Sequence, residues 1–197
     1  MANTNAPFGF RQTQGTGSAP TYEQVEFQIA YNTTNIFFGD PCTPTSGGYI
    51  TQSGSSGGSS DTQIAGIFVG CRYLSTSQKR TVWSNYYPGG TDPATGTIYG
   101  YVVNDPNAKF VAQTGSGGAA QANINQTIGF TIGSGNTSTG ISGAYLNMST
   151  AGVDATQPFR IFSLVTQPPG SNGTSSGDYN YVIVGFNNVQ TKSLVGI

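Results

Sequence analysis

Alternation constrains this chain more than any other feature. In EQVEFQIA, Val25, Phe27 and Ile29 fall on one side while Glu26 and Gln28 fall on the other, the period-two signature of a half-buried strand. Phe130 and Ile132 continue it from Ile128. In RIFSLV, Ile161, Ser163 and Val165 oppose Phe162 and Leu164; in DYNYVIVGF, Val182, Val184 and Phe186 share a face. IAGIFVGCRY is a longer apolar run with glycines at 66 and 70, read as a strand buried on both sides and bent or bulged at Gly66. About ten such runs alternate with Gly/Pro/Asn/Ser clusters, and none has helical spacing. GAAQANINQT, 118–127, is the one candidate for a short turn of helix. The expectation is an all-β chain, a single antiparallel β-barrel or jelly-roll-like sandwich. Gly- and Ser-rich stretches at 45–61, 113–120 and 168–178 join flanking strands and read as long surface loops. No repeat of fixed period appears, so residues 22–197 are expected to form one domain.

Composition separates this reading from disorder. Only 8% of the residues are charged, against roughly 25% in an ordinary globular chain. Disordered chains, however, are poor in aromatics and rich in net charge, whereas this one has 11 Tyr, 11 Phe and a net charge of -1. That balance gives no basic field to hold nucleic acid by counterion release. A near-neutral surface is also poorly protected against association, which suits a subunit of an assembly. No apolar run approaches the roughly 18 residues of a membrane helix, and MANTNAPFGFRQ lacks the basic and apolar regions of a secretory leader. No membrane partner is therefore expected. The five Asn-x-Ser/Thr triplets follow from a composition rich in those residues.

The chain has no histidine, which removes Ser-His-Asp and Cys-His catalysis and His-ligated zinc. The stretch IFFGDPC places Cys42 near Asp40, whose charge opposes formation of a thiolate. Asp-Pro recurs at Asp40-Pro41, Asp92-Pro93 and Asp105-Pro106. Asp accepts bonds from the backbone ahead and Pro cannot continue a ladder, so the pair ends strands and opens turns. IFFGDPC reads as architecture. Cys42 and Cys71 form no Cys-x-x-Cys pair and are expected as buried free thiols, with a disulfide as the alternative. Glu23 and Glu26 fall on opposite faces of a strand, which does not make a glycosidase pair. GSGGAAQ and GSGNTSTG lack the Gly-Lys-Ser/Thr of a phosphate loop. No catalytic residue, metal or cofactor is expected. TVWSNYYPGG reads first as a half-buried aromatic hairpin; the alternative is a sugar- or receptor-contacting patch of Trp83, Tyr86 and Tyr87.

Residues 1–21 carry apolar side chains without alternation or helix signal and are expected to run as an extended arm. Pro7, Phe8, Phe10 and Arg11 on that arm, with Leu194, Val195 and Ile197 at the other end, are candidate contacts with a neighbouring subunit. The competing expectation is that both ends pack on their own barrel.

Taken in order, NAPFGFRQ, FFGDPC, IAGIFVGCRY, YVVNDPNAKF, FRIFSLV and the terminal VGI resemble the head-decoration, or capsid cement, proteins of tailed bacteriophages. The resemblance runs from the first residues to the last. Cys42, Cys71 and the Gly/Ser-rich 51–60 loop depart from it. It implies an all-β structural protein, not an enzyme, made in the host cytoplasm and added to the outer surface of the virion head. There it would bridge neighbouring copies of the major capsid protein, as a dimer or trimer, against the pressure of packaged DNA.

Overall fold

The computed structural model describes residues 2–15, 19, 23–54 and 63–191. Along them run β1 (Arg11–Gln14), β2 (Val25–Ile29), β3 (Pro41–Pro44), β4 (Ile50–Gln52), β5 (Gly66–Leu74) and β6 (Thr81–Ser84). The second half holds β7 (Ile98–Val103), β8 (Lys109–Gln113), β9 (Thr127–Thr131), β10 (Tyr145–Gly152), β11 (Phe159–Leu164) and β12 (Tyr181–Phe186). A 3-10 turn at Gln121–Asn123, inside the segment expected to hold one, is the single helical piece among the described residues. The protein is all-β.

The strands form two six-stranded sheets. One has the order β1-β8-β12-β11-β9-β10 and is antiparallel. The other has the order β3-β4-β2-β7-β5-β6, with β3 also pairing to β5. That extra pairing closes five strands into a small barrel and leaves β6 attached outside the ring. Its one parallel contact joins β2 to β4 through Ile29 and Ile50. Barrel and sandwich are thus both present.

Two cores follow from this layout. Inside the barrel, Ile29, Ile36, Ile50, Phe68, Cys71, Tyr87 and Val102 pack together. Between the barrel wall and the first sheet lie Phe10, Ile67, Val103, Phe110, Phe130, Phe159 and Phe186. Phe159 stacks on Phe10 at 4.4 Å and on Phe186 at 5.9 Å between ring centres. Each such ring contributes about 1.5–3 kcal/mol by leaving water.

β5 lines both cores, and a bulge between Phe68 and Gly70 makes that workable. Ile67 and Val69 face the first sheet while Phe68 faces the barrel interior. Past the extra residue the parity changes, so Cys71 and Tyr73 point inward and Arg72 outward. Gly66, where the bend was expected, lies against β7: a Cβ there would sit 2.3 Å from the Val103 carbonyl oxygen. A second bulge, between Ile161 and Ser163, corrects the reading of RIFSLV. Ile161 is buried and Leu164 packs on the same core, whereas Phe162 is exposed. Strict alternation had put Ile161 and Leu164 on opposite faces.

The N-terminal segment docks on its own chain. β1 pairs with β8, and Phe10 is 1% exposed. Asp40 of IFFGDPC braces its turn, as the sequence predicts. Its carboxylate accepts from the Phe37 amide at 2.8 Å, from Gln52 Nε2 at 2.7 Å and from Ser142 Oγ at 2.5 Å. Burial pushes its pKa up, and these three bonds oppose the shift. The aspartate ties the turn before β3 to β4 and to the loop before β10. Asp105 accepts from the Asn107 amide just ahead, as the motif predicts, whereas Asp92 accepts from Ser75 and Ser77 in the turn between β5 and β6.

Candidate functional site: an aromatic platform on the barrel

The outer face of the barrel sheet has two ends. At one, Ile67, Val69 and Val103 are covered by the first sheet. At the other, the same face of β6, β5, β7 and β2 presents Trp83, Arg72, Tyr99, Tyr101 and Glu26. Register explains the grouping: Trp83 lies opposite Arg72, Arg72 opposite Tyr99, and Tyr101 opposite Glu26.

The side chains form one surface. Trp83, 68% exposed, stacks on Tyr101 with ring centres 5.7 Å apart and planes inclined by 14°. The Arg72 guanidinium carbon lies 5.3 Å from the Trp83 ring centre and 4.7 Å from that of Tyr99. Its Nη2 reaches Glu26 Oε2 at 3.5 Å. Two rings and a carboxylate therefore fix the arginine before any partner arrives. Burial raises the Tyr101 phenol pKa; Arg72 opposes that shift and Glu26, hydrogen-bonded to the phenol, adds to it. Trp, Tyr and Arg on a rigid sheet are the residue types that anchor protein interfaces, because they offer much contact area at little cost in side-chain freedom.

The alternative reading, a contact patch of Trp83, Tyr86 and Tyr87, does not form: the two tyrosines are withdrawn from the surface, in keeping with the half-buried aromatic segment read first. Tyr87 is fully buried in the barrel core. Tyr86 is half-buried and stacks on Phe37 at 5.6 Å. The bridge between Ile36 and Tyr87 turns the second tyrosine inward, so sequence adjacency does not become surface adjacency. Arg72, Tyr99, Tyr101 and Glu26 were missed. The signal for two of them was present: TIYGYVV alternates, which puts both tyrosines on one face of β7.

The terminal candidates divide. Phe10 is corrected to a core residue and presents no ring to a neighbour. Gly9, with φ of +75°, turns the chain so that Phe8 and Phe10 part company. Pro7 and Phe8 stay half-buried at the surface, Phe8 edge-on to Tyr181 at 5.4 Å. Arg11 is exposed, with its guanidinium 5.3 Å from the Phe8 ring centre. Leu194, Val195 and Ile197 lie outside the described residues.

Both cysteines are buried, free thiols in the barrel core. Burial raises the Cys42 pKa, and the charge of Asp40 raises it further. Burial alone pushes Cys71 up to about 12, and its thiol donates to the Tyr86 carbonyl. Neither is poised as a nucleophile. Among the described residues no three His, Cys, Asp or Glu side chains converge to hold a metal, and no helix is long and apolar enough to cross a membrane. No protein-family model, curated protein or solved structure matches the chain.

Proposed function

We propose that this chain is a structural protein of the virion, a capsid decoration protein that binds the outside of a tailed-phage head. It bridges neighbouring major capsid subunits, as a dimer or trimer, and stiffens the shell against packaged DNA. The observation that carries the reading is the platform of Trp83, Arg72, Tyr99 and Tyr101: built from interface-type side chains on a sheet, with Trp83 exposed and the other three half-buried beside it. A surface with seven basic and eight acidic residues in the whole chain, and the order of its strand-and-turn motifs, support the same reading. The platform would supply the central anchor on the major capsid protein, with Trp83 entering a pocket between two subunits.

Heads lacking the protein, titrated with purified chain, test this. Occupancy should saturate at a ratio set by the lattice. Trp83→Ala leaves the fold intact because the ring is mostly exposed, yet it should weaken attachment by about 2 kcal/mol or more. Non-saturating adsorption, or full attachment by the folded variant, refutes the proposal.

A further inference from the structure

A second surface feature lies away from the platform, on the other sheet. Tyr145 and Asn147 of β10 and Thr131 of β9 form the floor of a cleft of about 240 Å³, walled by Ser116, Tyr179 and Asn5 of the N-terminal segment. Tyr145 and Thr131 are register partners on adjacent strands. The Tyr145 ring lies against Gly115, where a Cβ would stand 3.0 Å from its Cε2, so the absence of a side chain at 115 lets the ring lie close to that backbone.

Three properties define what this cleft would hold. No charged side chain lines it, in contrast to a hollow at the other end of β9 and β10 edged by Asp154 and Arg160. Apart from Gly115 and Met148, the lining is built from hydroxyls and carboxamides, groups that both donate and accept. Among the described residues the side chains of Asn5, Ser116, Thr131, Tyr145 and Tyr179 make no hydrogen bond to the protein, so their capacity is turned to solvent. The walls are also preformed. Gln113, fully buried, donates through Nε2 to the Thr4 carbonyl at 2.9 Å and to the Tyr179 carbonyl at 3.0 Å, and accepts from the Ala6 amide at 3.0 Å. Asn3 donates to the carbonyls of Ser175 and Asp178, each at 2.9 Å, and accepts from the Gly173 amide. Tyr179 is held at φ of +59°, a conformation a tyrosine adopts only where its surroundings impose it.

We propose that this cleft binds one ring of a neutral sugar. A sugar presents vicinal hydroxyls that each donate and accept, which hydroxyl and carboxamide side chains match in both directions. It also presents a face of C–H groups suited to a tyrosine ring. Its neutrality suits a lining without charge. Drug-sized ligands occupy pockets of about 300–1,000 Å³, so a cleft of 240 Å³ is scaled to a single ring, the rest of a glycan extending into solvent. The inference is independent of capsid attachment, which uses the platform.

Saturation-transfer NMR tests it, using the full chain with the methyl α-glycosides of glucose, galactose and mannose, N-acetylglucosamine, and sialic acid as a charged control. At least one neutral sugar should receive saturation and sialic acid should not. Tyr145→Ala should weaken the signal about tenfold or more, and so should the double variant Asn5→Ala/Ser116→Ala. Both residues of the double variant are exposed, so it decides the matter if Tyr145→Ala fails to fold. Trp83→Ala should bind as the wild type does, which separates this site from the platform. No transfer to any neutral sugar, transfer that persists in the double variant, or transfer lost with Trp83 overturns the proposal.

Discussion

Gly9 decides where the N-terminal segment goes. A Cβ there would stand 2.7 Å from both the Gly39 carbonyl oxygen and the Ser142 Cβ, and the left-handed backbone favours glycine by about 1–2 kcal/mol on its own. Gly9→Ala should therefore lower stability by about 2 kcal/mol or more, and Phe10→Ala by about 3–5 kcal/mol, the usual cost of removing a buried ring. Urea unfolding checks both; a Phe10→Ala protein as stable as wild type would return that ring to the surface. The sequence FGF showed two rings and a glycine, but the atoms crowding Gly9 come from residues 39 and 142, so the division between Phe8 and Phe10 was illegible locally. The Asp-Pro turns were legible as turns, but of the three only Asp105 takes a bond from the backbone just ahead; partners of Asp40 and Asp92 such as Ser142 and Ser75 lie far off in sequence and were not legible. Asp92 makes the point measurable. Bonds from Ser77 and Ser75 hold its pKa at about 2, below the ordinary 3.8. The folded value is depressed, so its stabilisation is present above pH 3.8 and is lost as pH falls through about 2. Asp92→Asn should cost about 1 kcal/mol near neutrality, after allowing for solvent screening, and the difference from wild type should vanish at the acid end. A difference independent of pH would assign the loss to something other than the charge.

Alternation identified β2, β9 and β12 and the faces they bury, because period two survives along an uninterrupted strand. It failed in β5 and β11, where one inserted residue changes the parity. The glycines of IAGIFVGCRY advertised an irregularity, expected at Gly66, whereas the bulge lies between Phe68 and Gly70; RIFSLV carried no such mark. The bulge in β5 bears directly on the candidate site, since it sends Arg72 to the platform and Cys71 to the core. Gly70 sits within it at φ of +151°, and a Cβ there would lie 3.0 Å from the Ser84 carbonyl oxygen on β6. Gly70→Val should push β6 away and unstack Trp83 from Tyr101. Trp83 is the only tryptophan, so its fluorescence reports this directly: emission should move to the red and tyrosine-to-tryptophan transfer should change. An unaltered spectrum would mean that the bulge does not set the platform.

Across the molecule charge has little to do. The Arg72–Glu26 contact is the one salt bridge among the described residues, while both cores are apolar. Ion pairs weaken as salt screens them and apolar burial does not. Melting temperature, and occupancy on heads, should persist from low to molar sodium chloride; release of most copies by salt with the chain still folded would identify a charge-driven clamp instead. The low charge content made this legible from composition alone. That β5 is buried on both faces was legible in the run IAGIFVGCRY; that the two faces line separate cores was not, since it arises from the pairings of β3, β6 and β7 with this strand. That shared wall bears on cooperativity. Among the described residues the strand that closes one core also closes the other, so the two cores are expected to open together. The amides of β5 and β7 should exchange their hydrogens with solvent only through whole-molecule unfolding, at one common free energy and with the same denaturant dependence. A protein so built either holds its full shape under load or loses all of it at once.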